Sequence, residues 1–140
     1  MLYFAYASNM NREHMKKLCP ESTFVQRARL LGYRFVYDGA EPDDGGAVGN
    51  IVASKKDVVL GALFEITKKD LSQLDWYENY PQSYGRTEVA VFGDDDKEHT
   101  AIVYFRVGET PADPLEEYRE LVLQGARDCR LPEKYISDNL

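Results

Sequence analysis

With 140 residues, a formal net charge of −7 and an isoelectric point near 4.8, the chain has the length of one domain, residues 1–140, and no basic stripe to hold nucleic acid. Apolar residues at 44% and charged residues at 29% are the balance of a soluble globular protein, and no apolar run approaches a membrane span. The expectation is a cytoplasmic protein without a signal peptide, in which Cys19 and Cys129 stay reduced and buried. With only His14 and His99 beside them, no zinc site is expected.

The elements follow in chain order. Leu2 to Tyr6 is wholly apolar and aromatic and reads as a short buried strand. It stops at the polar Ala7-Ser8-Asn9, and Asn11 opens a helix over 11–18 that Pro20 ends. A strand running through a short polar loop into a helix can gather backbone N–H groups against a carboxylate or a developing oxyanion; it can equally be an ordinary connection. Residues 23–37 predict a strand kinked near Gly32, with Phe24, Ala28 and Leu30 on one face. The glycine-rich and acidic stretch 38–50 predicts a long loop, and its glycines fit neither G-x-G-x-x-G nor a Walker A pattern, which excludes a nucleotide reading.

Ile51–Ala53 and Val58–Ile66 predict two strands joined by a turn at Ser54-Lys55-Lys56-Asp57. Thr67 and Asp70 form a capping box for a helix over 68–78. Residues 84–92 and 99–107 predict a hairpin across the acidic turn from Gly93 to Lys97. Asp113 as N-cap and Pro114 at the first helical position start a helix running to about Cys129, and Leu131-Pro132-Glu133 starts a last short one. Strands interrupted irregularly by helices predict an α+β fold with a mixed, curved sheet.

One carboxylate stands out. On the helix from Thr67, Leu71, Leu74 and Glu78 share a face, so Glu78 points inward or to the rim of a cleft at the helix C-terminus. Burial and the negative end of the helix dipole both raise its proton affinity, as suits a general base near neutral pH. The plain alternative is a side chain in a fraying last turn that bends into water. Asp75, close to Leu71 on the same wheel, allows a two-carboxylate arrangement. Tyr118 shares a helix face with Leu121, Val122 and Gly125, as a core tyrosine would.

Three segments carry a family resemblance. Tyr3-Phe4-Ala5-Tyr6-Ala7-Ser8-Asn9-Met10 resembles the Tyr-Phe-Ala-Tyr-Gly-Ser-Asn-Leu/Met opening of the γ-glutamylcyclotransferase family, with Ala7 in place of its glycine. Leu74-Asp75-Trp76-Tyr77-Glu78-Asn79 is similar to the family's L-D-x-x-E-G segment, with Asn79 for glycine, and Tyr84 follows as its second pocket tyrosine after a one-residue gap. Pro114 to Tyr118, Gly125-Ala126 and Leu131 to Tyr135 are similar to its carboxy-terminal helices.

The resemblance implies a small mixed-sheet β-barrel of five to six strands with surrounding helices. It implies Glu78 as catalytic acid/base, with Tyr6, Ala7, Ser8, Asn9, Met10, Tyr84 and Tyr118 binding substrate. The implied reaction is cofactor-independent: the α-amine of a γ-glutamyl amino acid or amine attacks its own γ-carbonyl, giving 5-oxoproline and a free amine. The partner is then this small molecule, with neither nucleic acid nor membrane, and the protein a monomer or homodimer. Two rivals stand beside it: a member of the same fold that binds a ligand or partner without turnover, and a Ser8 nucleophile, which would need His14 or His99 in reach. Ala7 keeps the first rival open, because a glycine there would permit positive φ.

Overall fold

The computed structural model describes residues 1–39, 46–107 and 110–140. Strand β1 (Leu2–Ala5) leads through a single 3-10 turn (Ser8–Met10) to helix α1 (Arg12–Leu18), capped where the Asn11 side chain accepts from the His14 N–H. Two long strands, β2 (Thr23–Asp38) and β3 (Val48–Glu65), precede helix α2 (Lys68–Tyr77). The hairpin β4 (Gly85–Gly93) and β5 (Glu98–Phe105) is followed by α3 (Glu116–Asp128) and α4 (Glu133–Asn139). The capping box at α2 is present, Thr67 Oγ1 accepting from the Asp70 N–H and Asp70 from the Thr67 N–H, each at 3.1 Å.

The strands form a closed barrel in the order β1-β3-β2-β4-β5. All neighbours are antiparallel except the closing pair, where Tyr3 of β1 lies parallel to Ile102 of β5. Closure pairs β1 on both edges, which protects a short apolar strand that would otherwise expose unpaired backbone. Phe4, Leu63, Val91 and Val103 fill the interior, and Leu74 of α2 and Val122 of α3 pack on the barrel fully buried.

Four expectations need correcting. Residues 51–53 and 58–66 are not two strands around a turn but parts of β3. Leu31 pairs with Val58 and Tyr33 with Ala53, so Ser54 to Asp57 stand opposite Gly32 alone. The turn-forming residues are taken up as a bulge because β2 holds β3 in register on both sides of it; the kink expected at Gly32 is its other half, with φ at +83°. The loop expected over 38–50 is shorter, since Asp38 ends β2 and Val48 begins β3; its middle, 40–45, lies outside the described residues.

Helix α3 does not start at Asp113 and Pro114. Its N-cap is Leu115, because the segment before it runs extended along the end of β2: Ala112 N–H donates to Tyr37 O, and Asp113 O accepts from Ala47 N–H. Finally, Glu78 is the residue that caps α2 rather than its last turn.

Helix α3 reaches the loop after β1 through Gly125. A Cβ there would stand 2.7 Å from the Met10 carbonyl carbon, against backbone that has no side chain to rotate away. Gly125→Ala is therefore expected to cost about 1–3 kcal/mol of stability by pushing α3 off the loop, measured by denaturant unfolding. Parent-like stability would mean that the helix–loop contact is loose.

Candidate functional site

The site lies where β1, its following turn, the C-terminus of α2 and α3 converge. Glu78 is held by its N–H bond to Leu74 O, 2.9 Å, and the chain then reverses because Asn79 takes a left-handed conformation with φ at +52°. Asparagine tolerates that conformation, so it fills the helix-terminating role that glycine has in the motif. The Glu78 carboxylate enters a cavity of about 300 Å3. Lining it are Tyr6, Ala7, Ser8, Asn9, Tyr84 and Tyr118, together with Tyr3, Val48, Gly49, Tyr77 and Tyr104.

Met10 is not among them. It is fully buried, and its N–H donates to Ala7 O at 3.1 Å, so it supports the turn from behind. Asn11 N–H is likewise committed to Ser8 O at 3.0 Å. The amides of Ser8 and Asn9 open the 3-10 turn and have no acceptor within it.

Glu78 has its pKa pushed up to about 7, mainly because burial disfavours the charged form. The Asn9 amide works against that shift, its Nδ2 standing 3.5 Å from Glu78 Oε1 while it donates to the Tyr3 hydroxyl at 2.9 Å. No Lys or Arg belongs to the described lining to offset the burial. Tyr3, Tyr6, Tyr84, Tyr104 and Tyr118 all have proton affinities raised by burial, so their hydroxyls stay neutral around the carboxylate.

Asp75 is not a second cavity carboxylate. It ion-pairs with Arg86 and accepts from the Tyr104 hydroxyl at 2.6 Å, which ties it into the wall. Neither histidine lines the cavity with Ser8: His14 meets Tyr77 edge to face with ring centroids 5.2 Å apart, and His99 pairs with Asp95 in the β4–β5 hairpin. The serine hydroxyl interacts instead with Tyr77 and Tyr118. Both cysteines are free and buried, and the described residues hold no group of three metal-ligating side chains.

Tyr84 and Tyr118 clamp the backbone of one residue, Gly49, by its N–H and its C=O. The Tyr118 hydroxyl accepts from Gly49 N–H at 2.8 Å, and the Tyr84 hydroxyl donates to Gly49 O at 2.7 Å. Gly49 is tight for a further reason. A Cβ on it would lie 2.6 Å from the Ala7 methyl, 3.1 Å from the Phe35 ring and 3.3 Å from the Tyr118 hydroxyl. Ala7 itself has φ at −133°, so the positive φ that a glycine would allow is not used. Of the lining residues that the sequence did not single out, Tyr3 and Tyr104 sat in plain strands and Tyr77 beside Glu78. Val48 and Gly49 carried no signal, because only the β2–β3 pairing brings them to the site.

A barrel carrying a carboxylate whose pKa is raised to about 7 in a tyrosine-lined cavity, with no nucleophile–histidine pair, is suited to acid–base chemistry. Residues 3–121 match the family model described as "Gamma-glutamyl cyclotransferase, AIG2-like". The chain belongs to that family. It is 29% identical over 139 residues to the human protein named gamma-glutamylcyclotransferase and 29% to the bovine one, in each case covering 96% of this chain and 74% of the relative. A solved structure titled "Gamma-glutamyl cyclotransferase" superposes with a TM-score of 0.91 at 27% identity, covering 99% of this chain and 85% of that one. YkqA from Bacillus subtilis shares the fold, with a TM-score of 0.80 at 19% identity, covering 99% of this chain and 55% of that one.

Two outcomes follow from this geometry. Gly49→Ala should loosen the site and lower the melting temperature, and adding Ala7→Gly should recover part of the loss by removing the closest atom; a double variant no better than Gly49→Ala would contradict the contact. Folding also raises the Glu78 pKa from the usual 4.5 to about 7, so whatever Glu78 contributes to stability is fully present below pH 4.5 and is lost as pH rises through 7. Glu78→Gln cannot ionise, and should gain on the parent between those pH values by on the order of 1–3 kcal/mol. Unfolding curves that stay parallel across that range would mean that the carboxylate is solvated.

Proposed function

We propose that this protein is a γ-glutamylcyclotransferase that converts a γ-glutamyl amino acid or amine into 5-oxoproline and the free amino acid or amine. The observation that carries the reading is Glu78, a carboxylate on the cavity wall whose pKa is raised to about 7. The substrate's glutamyl end lies against the Ser8 and Asn9 amides, with Tyr6, Ala7, Tyr84 and Tyr118 around it, and Met10 serves from behind by bracing the turn.

Glu78 accepts a proton from the α-amine as the new N–C bond forms to the γ-carbonyl. It returns the proton to the leaving nitrogen as the original C–N amide bond breaks, so the carboxylate ends as it began. Nucleophile and electrophile belong to one molecule. The protein's part is therefore to fold the chain into attack geometry and to hold the oxyanion with neutral donors.

A member that binds without turnover is the other reading of the family fold. The feature that raised it, Ala7, has φ at −133° and so makes no demand for glycine's positive φ. A carboxylate kept in a desolvating cavity favours turnover, since it costs stability at neutral pH without a chemical use.

Incubation with a panel of γ-glutamyl amino acids and γ-glutamylamines should release 5-oxoproline. Glu78→Gln should lower kcat/KM by on the order of 10²-fold or more, and in the parent kcat/KM should rise with pH through about 7 as Glu78 loses its proton. No 5-oxoproline from any of the panel would sink the proposal, and a Glu78→Gln variant within a few-fold of the parent would remove Glu78 from the chemistry.

A further inference from the structure

A hydroxyl can turn and so can donate or accept, but a peptide unit cannot: its N–H only donates and its C=O only accepts. Gly49 presents both groups to the cavity tyrosines. Its C=O takes the proton of Tyr84 at 2.7 Å, which leaves Tyr84 with lone pairs and no proton to offer a ligand. Its N–H occupies a lone pair of Tyr118 at 2.8 Å, which turns the Tyr118 proton away from Gly49 and leaves it for the cavity that Tyr118 lines. Two residues of the same type are thus given opposite characters by the N–H and the C=O of one residue.

From this polarity we infer that Gly49 orients the substrate: Tyr84 accepts from the α-amino group, and Tyr118 donates to a carboxylate or carbonyl oxygen. The inference rests on the cyclotransferase reading and deepens it. Both tyrosines line the same cavity as Glu78. An amine held by Tyr84 and Glu78 has two N–H bonds engaged, and its lone pair is left to attack the γ-carbonyl. Gly49 is a positioning residue in this scheme, and it can be no larger than glycine. A Cβ would meet Ala7 at 2.6 Å and disturb the Tyr118 hydroxyl at 3.3 Å.

The test compares L-γ-glutamyl-L-alanine with N-glutaryl-L-alanine, which differs only in lacking the α-amine and cannot cyclise. For the parent, Tyr84→Phe and Tyr118→Phe, one measures kcat/KM for the first compound, the inhibition constant of the second, and the melting temperature. Tyr84→Phe should lower kcat/KM by about tenfold or more, the effect of one charge-assisted hydrogen bond, and leave the inhibition constant within about twofold. Tyr118→Phe should worsen both, by about fivefold or more.

The inference is overturned if Tyr84→Phe weakens the glutaryl compound as much as it lowers kcat/KM, if Tyr118→Phe leaves that compound unaffected, or if the compound fails to inhibit the parent. A parent that forms no 5-oxoproline defeats the cyclotransferase reading instead, which is a separate result. The melting temperatures separate either pattern from general loss of structure.

Discussion

Desolvation of one carboxylate is the constraint on which the site depends. Glu78 could be solvated cheaply at a helix end, yet the barrel surrounds it with tyrosine hydroxyls and apolar surface and places no Lys or Arg among the described lining residues. Its proton affinity rises to about 7 as a result. A cation in the wall would pull that value back down. The neutral tyrosines avoid this while still supplying hydrogen bonds, because burial keeps their own protons on.

Holding such a group requires rigid surroundings, and they are built from segments far apart in the chain. The Ala7–Asn9 turn is anchored in front by β1, paired with both β3 and β5, and behind by α3 at Gly125. The other wall comes from the start of β3, whose Gly49 is clamped by Tyr84 and Tyr118. Asp75, Arg86 and Tyr104 stiffen the side next to α2. Most of these contacts use a fixed group, backbone or ion pair, which suits a cavity of defined shape.

Much of this was legible in the chain. The buried strand, the polar turn after it, the capping box at Thr67 and the inward face of α2 follow from periodicity and capping chemistry, which are local. Glu78 could be picked out because Leu71 and Leu74 point the same way as it does. Where sequence reasoning failed, a non-local partner overrode a local preference. Ser54 to Asp57 look like a turn but lie in a strand because β2 pairs on either side of them. Asp113 and Pro114 look like a helix start but are drawn out along β2. Asp75 looks available for chemistry but is neutralised by Arg86, which follows it only after the chain has reversed.

By itself, the sequence determined the short strand β1, the turn after it, the start of α2 and which carboxylate faces inward, because spacing of apolar residues and capping groups acts over a few residues. Only the tertiary structure decided that Met10 lies behind the cavity rather than in it, that Ala7 has no use for a positive φ, and that Gly49 belongs to the site. Those are matters of what comes close across the barrel. A methyl group on Ala7, a peptide of β3 and two tyrosine hydroxyls from β4's approach and α3 meet within a few ångströms, and nothing in the spacing of those residues along the chain encodes that meeting.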